Sequence, residues 1–376
     1  MLTRRNFTRG AAGAAALLAA PVLRAQPDRI LLAQSAPFSG PAAQLGIQFN
    51  QGAQLYLDQV NAQGGVHKMP VELVHLDDGY EPDRCADNTR KLLAQDPIAL
   101  FGYIGTPTSL AALPLATAAK APFIAPFTGA MSLRDPFNRL VFHLRASYND
   151  ETALIVKQLT NVGLQKIGVF YQDDAYGKAG LDGMELALAA HKLQPVARAT
   201  VARNSVNVAP AVKALLAAAP DAIVQISAYK SCAAFIRAAR AAGYGGTFYN
   251  VSFVGTQALA DELGKDAAGV VVSQVVPSPY NPARPITREF AEAVKKAGGP
   301  HQANFSSMEG WLAARLLVDG LKHGPAKPTR EGLVAGLEAL GSRDYGGFST
   351  SFSSTDHVAS SFVELSMLTA DGRVRT

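Results

Sequence analysis

Two rhythms of hydrophobic and polar positions alternate along the chain. Short uninterrupted apolar runs, the first over 29–34 (RILLAQ), suit buried strands. Between them lie stretches with helical spacing. Phe49, Ala53, Tyr56 and Val60 follow one another at intervals of four, three and four, which lines up one face of a helix over 47–63. Gly64-Gly65 ends it, where a left-handed backbone is tolerated. The same reading predicts strands at 71–76, 98–104, 123–125 and 140–144, with a helix over 83–95. A second series begins with a helix capped by Asp150 and running to 161. It continues with strands at 166–171, 196–201, 222–226, 247–251 and 269–276, alternating with helices at 176–191, 208–218, 231–242 and 257–263. Helices at 286–297, 305–323 and 329–340, a Ser/Gly-rich turn region and a strand at 361–368 close the chain.

Strands alternating with helices of this length predict an α/β protein with parallel-rich sheets covered on both faces. Roughly 350 residues of such units exceed one open sheet, so two lobes are expected. No low-complexity linker separates them. Ordered chain must cross between the lobes, near 145–149 and 274–281, which makes a hinge with a cleft beside it.

Charge first suggests an anionic polymer, because 35 basic residues face 30 acidic ones. The first 24 residues hold Arg4, Arg5, Arg9 and Arg24 and no acid. With the weakly apolar run 10–23 and the small Ala25, they read as an export signal over 1–25, cleaved near Ala25–Gln26. The alternative is an uncleaved helical anchor. Thr3-Arg4-Arg5-Asn6-Phe7 resembles the twin-arginine export motif. Without that segment 31 basic residues face 30 acidic ones. The case for nucleic acid goes with it, and a soluble periplasmic chain is expected.

Catalytic signatures are missing: no GxxxxGK[ST], no GxSxG, no GxGxxG after the first strand and no HExxH. No cofactor or metal is expected, and the chain is not read as an enzyme. Cys85 and Cys232 are expected as unpaired thiols, although an oxidising compartment would permit a bridge. The acid pairs Asp77-Asp78 and Asp173-Asp174 follow strands, where turn and capping chemistry is the ordinary role. More informative is Tyr103-Ile104-Gly105-Thr106-Pro107-Thr108-Ser109. A strand ends, glycine turns the chain, and Thr at N-cap with Pro at N1 starts a helix. The amides of Thr108 and Ser109 then face the carboxyl edge of a sheet, where open α/β sheets bind ligands. Ser35–Pro41, containing Phe38, and Pro126-Phe127-Thr128-Gly129 are similar strand-exit loops.

These loops, together with Gly46, Asn61–Val66, Asp77-Asp78, Glu81-Pro82 and Asp173–Gly180, resemble the leucine/isoleucine/valine-binding periplasmic receptors of ABC transporters. The resemblance runs from about Ile30 to the C-terminus. It implies the type I periplasmic binding protein fold, two Rossmann-like lobes joined by a three-strand hinge, with 27–145 and 275–346 in one lobe and 146–274 and 347–376 in the other. It also implies that Thr106, with Ile104 and Gly105, holds a ligand carboxylate and that Phe127, Thr128 and Gly129 add contacts. Leu45 falls at the pocket rim, and Tyr176 and Tyr229 close from the second lobe. Phe38 and Tyr103 are expected to face the cleft as well. Where amino-acid binders carry an acid for the ligand ammonium, this chain has Ser252. Tyr80 and Gly105 stand where the family has a disulfide. A small carboxylate without an ammonium, aromatic or another organic acid, is therefore the expected solute, delivered to an inner-membrane ABC permease. A branched-chain amino acid, or a sensor role with a signalling partner, are the alternatives.

Overall fold

The computed structural model describes residues 29–299 and 301–376. The segment read as an export signal lies outside them. Among the described residues no helix is long and apolar enough to cross a membrane, and no group of His, Cys, Asp or Glu is placed to hold a metal ion.

The first lobe is built from β1 (Ile30–Ala36), α1 (Ala43–Ala62), β2 (Val71–Asp77), α2 (Pro82–Leu93), β3 (Ala99–Phe101), α3 (Thr106–Ala118), β4 (Phe123–Ile124) and β5 (Val141–Phe142). Its sheet is parallel throughout, in the order β2-β1-β3-β4-β5. Strand β1 is buried along its whole length, and each large apolar side chain taken out of water there contributes about 1.5–3 kcal/mol.

The second lobe repeats the plan. α4 (Tyr148–Asn161), β6 (Ile167–Gln172), α5 (Ala175–Ala190), β7 (Ala197–Val201), α6 (Ala209–Ala217), β8 (Ala222–Ile226), α7 (Tyr229–Ala241), β9 (Thr247–Asn250), α8 (Thr256–Leu263) and β10 (Val271–Gln274) follow in order. The sheet runs β7-β6-β8-β9-β10, the same doubly wound order as the first. The chain then returns to the first lobe as α9 (Pro285–Ala297), α10 (Phe305–His323) and α11 (Arg330–Glu338). It makes a hairpin of β11 (Ser342–Asp344) and β12 (Ser349–Ser351), and adds β13 (Glu364–Leu368) and β14 (Val374–Arg375) antiparallel to the second sheet. On this last passage Val358 still pairs with His143, just beyond β5.

Helix α10 crosses α1 at backbone distance. A methyl on Gly52 would stand 1.9 Å from the Ser307 carbonyl oxygen, and one on Gly310 would stand 2.0 Å from that of Phe49. Only glycine fits at this crossing. In each sheet the strand order reverses once, between β1 and β3 and between β6 and β8. Ligands bind at such switch points, outside the carboxyl ends of the strands. The loops after β1, β3, β6 and β8 lie at these two switch points.

Candidate functional site

The loop after β3 turns on two glycines, Gly102 (φ +64°) and Gly105 (φ +98°). Thr106 is the first residue of α3 and Gly105 occupies the cap position. This corrects the expectation that Thr106 caps the helix and that both the Thr108 and Ser109 amides are free. The Thr106 hydroxyl meets the Thr128 hydroxyl at 2.6 Å, and the Ser109 amide is bonded to the Gly105 carbonyl. The amides of Thr106 and Thr108 have no acceptor among the described residues, and the Ser109 hydroxyl is unpartnered. Thr106, Thr108 and Ser109 are fully buried. Helix N-termini carry partial positive charge and are otherwise satisfied by caps or water. A buried, uncapped end with free donors is arranged to accept an anion.

From the second lobe, Asp174 caps α5 through the amides of Tyr176 and Gly177. Gly177 allows that turn to press on β6, since a methyl there would lie 1.8 Å from the Gln172 carbonyl oxygen. The cap carries Tyr176 inward, with its hydroxyl unpartnered. The Tyr176 ring lies 4.4 Å from Phe253 and 5.5 Å from Tyr148. Phe253 in turn meets Phe127 at 5.7 Å and Tyr80 at 5.9 Å. One aromatic cluster is thus assembled from both lobes and the crossing segment.

The lobes are closed on each other in this conformation. Gln172 Nε2 lies 3.3 Å from the Tyr80 hydroxyl. Arg203 Nη2 pairs with Glu81 at 3.1 Å and Asn204 Nδ2 donates to the same carboxylate at 2.7 Å. Leu45 lies against Gly255, where a methyl would stand 2.4 Å from its Cδ2. At the mouth, the Gln44 amide reaches the Tyr229 hydroxyl at 3.5 Å, beside a groove of about 610 Å³ that Gln48, Lys230 and Asn304 help to line.

Behind the aromatic rings runs a buried ionic chain. Arg145 lies over the Phe127 ring at 4.1 Å. It pairs with Glu309 through Nε at 2.9 Å and Nη2 at 3.0 Å, and Nη2 also donates to the Ser252 hydroxyl at 3.0 Å. That hydroxyl donates to Glu151 Oε1 at 3.0 Å, while the Ser252 amide donates to Glu151 Oε2 at 2.7 Å. Burial works against the Arg145 charge, but Glu309 and Glu151 outweigh it and hold the guanidinium above its ordinary pKa. Both glutamates are pushed up by burial, with Arg145 opposing.

A periplasmic binding protein family profile matches residues 30–373. The chain belongs to the periplasmic binding protein family. It is 26% identical over 307 residues to Leu/Ile/Val-binding protein homolog 7 of Brucella suis biovar 1 (strain 1330), covering 76% of this chain and 75% of that one. A possible leucine/isoleucine/valine-binding protein from Rhodopirellula baltica SH 1 superposes with a TM-score of 0.89 at 34% identity, over 95% of this chain and 97% of that one. A solute-binding protein of R. palustris, solved in complex with benzoate, shares the fold at 21% identity, with a TM-score of 0.81 over 93% and 95% of the two chains.

In this binding protein, Gly105, Thr106, Phe127, Thr128, Tyr176 and Ser252 converge between the lobes. Ile104 pairs with Phe127 and so registers the two loops, and Gly129 gives the Tyr148 ring room, since a methyl there would meet Cδ1 at 2.6 Å. Two expected residues point elsewhere. Tyr103 faces the outer core, with its ring 4.9 Å from Phe123 and its hydroxyl on Thr89. Phe38 packs on His75 at 4.5 Å, outside the cluster. Each lies in the loop just after a strand, β1 for Phe38 and β3 for Tyr103. Reading Ser252 as a position without charge also missed Glu151, which lies on it from α4. The sequence reading further missed Tyr80, Arg145, Tyr148 and Phe253 as site residues. Two of these lie in the segment flagged as a crossing, and Phe253 adjoins Ser252.

The tandem acids act as turn rivets. Asp77 accepts from the Phe38 and Gly79 amides, and Asp78 from the Tyr80 amide and the Ser35 hydroxyl. Burial would raise Asp77, but the Ser39 hydroxyl, these amides and Arg84 hold it down at about 2. Burial pushes Asp78 up to about 6, against its hydrogen bonds. The folded chain therefore binds the Asp78 proton more tightly than the unfolded chain, whose value is near 3.8. That contribution is fully present below about pH 4 and is lost as pH rises through about 6. The Asp77 contribution runs the other way, being lost only as pH falls through about 2. Thermal melts of wild type and Asp78→Asn between pH 4 and 7 are expected to show a stability gap that shrinks as pH rises. A constant gap would rule out this assignment.

Proposed function

We propose that this protein captures a small organic solute bearing a carboxylate, preferably aromatic and without an ammonium group, between its lobes and delivers it to an inner-membrane ABC permease from the periplasm. The observation that carries the reading is the buried N-terminus of α3, with the Thr106 and Thr108 amides and the Ser109 hydroxyl unpaired. The carboxylate sits there, accepting from the free Thr106 and Thr108 amides, with the Thr106 hydroxyl held beside it by Thr128. The aromatic cluster of Phe127, Tyr176 and Phe253 offers a ring-shaped apolar wall. The benzoate complex of the R. palustris protein, which shares the fold, illustrates that such a cleft accommodates this class. Lobe closure follows from the ligand's higher affinity for the closed state. The mechanism is binding and hinge motion.

The charge count in the cleft supports the preference for a solute without an ammonium. Glu151 and Glu309 are balanced by Arg145 and by the half-buried Arg134, which donates to the carbonyls of Ala130 and Arg145. Neither glutamate is left over for a buried ammonium, which is costly to bury unpaired. A branched-chain amino acid is the second reading. It is favoured by the names of the curated relatives and by the position of Glu151 on Ser252.

A thermal-shift screen, followed by calorimetry, separates the two. Benzoate and related aromatic acids are expected to raise the melting temperature, and leucine, isoleucine and valine to leave it in place. The reverse pattern sinks the preference. Thr106→Ala is expected to weaken the carboxylate ligand by about 1–3 kcal/mol. Unchanged affinity removes Thr106 from the site.

A further inference from the structure

Tyr80 is the one residue of the aromatic cluster held in a strained backbone conformation. It sits at φ +66°, directly after Gly79 at φ +58°, and a bulky side chain there is an outlier. Asp78 fixes the turn through the Tyr80 amide at 2.8 Å. The result is a fully buried ring laid on the α-carbon of Gly105, where a methyl would stand 2.3 Å from the ring Cε2. Gly105 opens the proposed anion site, so the ring stands at the edge of the place where the carboxylate sits. On its other side it meets the second lobe, through Phe253 and through the Gln172 amide at 3.3 Å from its hydroxyl. Strain of this kind persists only where the surroundings over-determine it, and it concentrates at ligand clamps.

We propose that Tyr80 is the specificity-determining wall of the cleft: its ring limits the ligand to a compact, single-ring-sized acid, and it does so while touching both lobes, so that a longer ligand prevents closure. This rests on the carboxylate reading of the site. A ligand that reaches past Phe127 and Tyr176 meets the Tyr80 ring, and the ring has nowhere to go. Gly105 is behind it, Phe253 is in front, and its own backbone is pinned by Asp78. Removing the ring frees space next to the anion site without altering Thr106, Thr108 or Ser109. Glycine suits the test, because it adopts φ +66° without strain. Tyr80→Phe is the companion, keeping the wall and losing only the hydroxyl contact to Gln172.

The experiment measures affinities of wild type, Tyr80→Gly and Tyr80→Phe for benzoate, phenylacetate, 3-phenylpropionate and 4-phenylbutyrate by calorimetry. A melting curve of each variant first confirms that it is folded. Wild type and Tyr80→Phe are expected to prefer the shortest acids. Tyr80→Gly is expected to move the optimum to a longer acid, gaining about tenfold or more there with no gain for benzoate. An unchanged order in Tyr80→Gly overturns the proposal, as does the same shift in Tyr80→Phe. If no aromatic acid binds any of the three, the carboxylate-without-ammonium reading fails, and the series alanine, valine, leucine, phenylalanine tests Tyr80 in its place. A shift toward phenylalanine in Tyr80→Gly then supports the wall, and an unchanged order, or binding of neither series, overturns it.

Discussion

Arg145→Met is expected to destabilise the protein by about 3–5 kcal/mol, the cost of leaving buried carboxylates without their partner. Arg145 has 1% side-chain exposure and Glu309 has 4%, so water cannot replace the lost guanidinium. Glu151 also loses its cation, and the Ser252 hydroxyl loses the donor that orients it. The Phe127 ring loses the charge stacked on it. Because the penalty comes from orphaned charge, the double variant Arg145→Met, Glu309→Leu is expected to recover a good part of the loss, with Glu151 left to the Ser252 donors and the field of Arg134. Urea unfolding of the single and double variants measures both quantities. A single variant within about 1 kcal/mol of wild type would show that the ionic chain is not what holds the crossing segment.

The second large effect is expected at Gly105. Its φ of +98° lies where a β-carbon is strained, at about 1–3 kcal/mol. Alanine there also drives a methyl to 2.3 Å from the Tyr80 ring and 3.1 Å from the Thr108 hydroxyl, a further overpacking cost of about 1–3 kcal/mol. Relief comes from shifting the loop that carries the free amides of α3, since the Tyr80 ring is held by Phe253 and Asp78. That displaces the binding surface. Gly105→Ala is therefore expected to weaken a carboxylate ligand by about 30-fold or more while the protein stays folded. Calorimetry against benzoate, or against whichever acid the screen selects, gives the number. Full affinity in a folded Gly105→Ala variant would mean that the ligand does not approach this helix end.

Both predictions depend on contacts between segments far apart in the chain. Arg145 and Glu309 are separated by 164 residues, Glu151 and Ser252 by 101, and Tyr80 and Gln172 by 92. Hydrophobic periodicity carries no information about such pairs. It does report which face of a strand or helix is buried, because burial recurs with the local repeat of the backbone. Whereas Tyr176 was reached through the family resemblance, the alternating βα units, two lobes and strand-exit loops around Gly105 and Phe127 were legible for that reason. So was capping by Asp174, since a cap is satisfied within one turn of helix.

Where the sequence reading went astray, the cause was a choice among local options that only packing resolves. The Thr106 hydroxyl had the α3 amides and Thr128 within reach, and tertiary contact with the Pro126–Gly129 loop drew it to Thr128. Tyr103 and Phe38 are aromatic residues in loops after strands, but packing turns one toward Phe123 and the other toward His75. Ser252 was judged by its own lack of charge, whereas the charge comes to it from Glu151 on another element. Residue order carried the doubly wound lobes through local periodicity, and the family through the order and spacing of its loop motifs. How the buried charges pair and where the Tyr80 ring lies were settled by folding, because each depends on two lobes meeting across a gap that no local pattern spans.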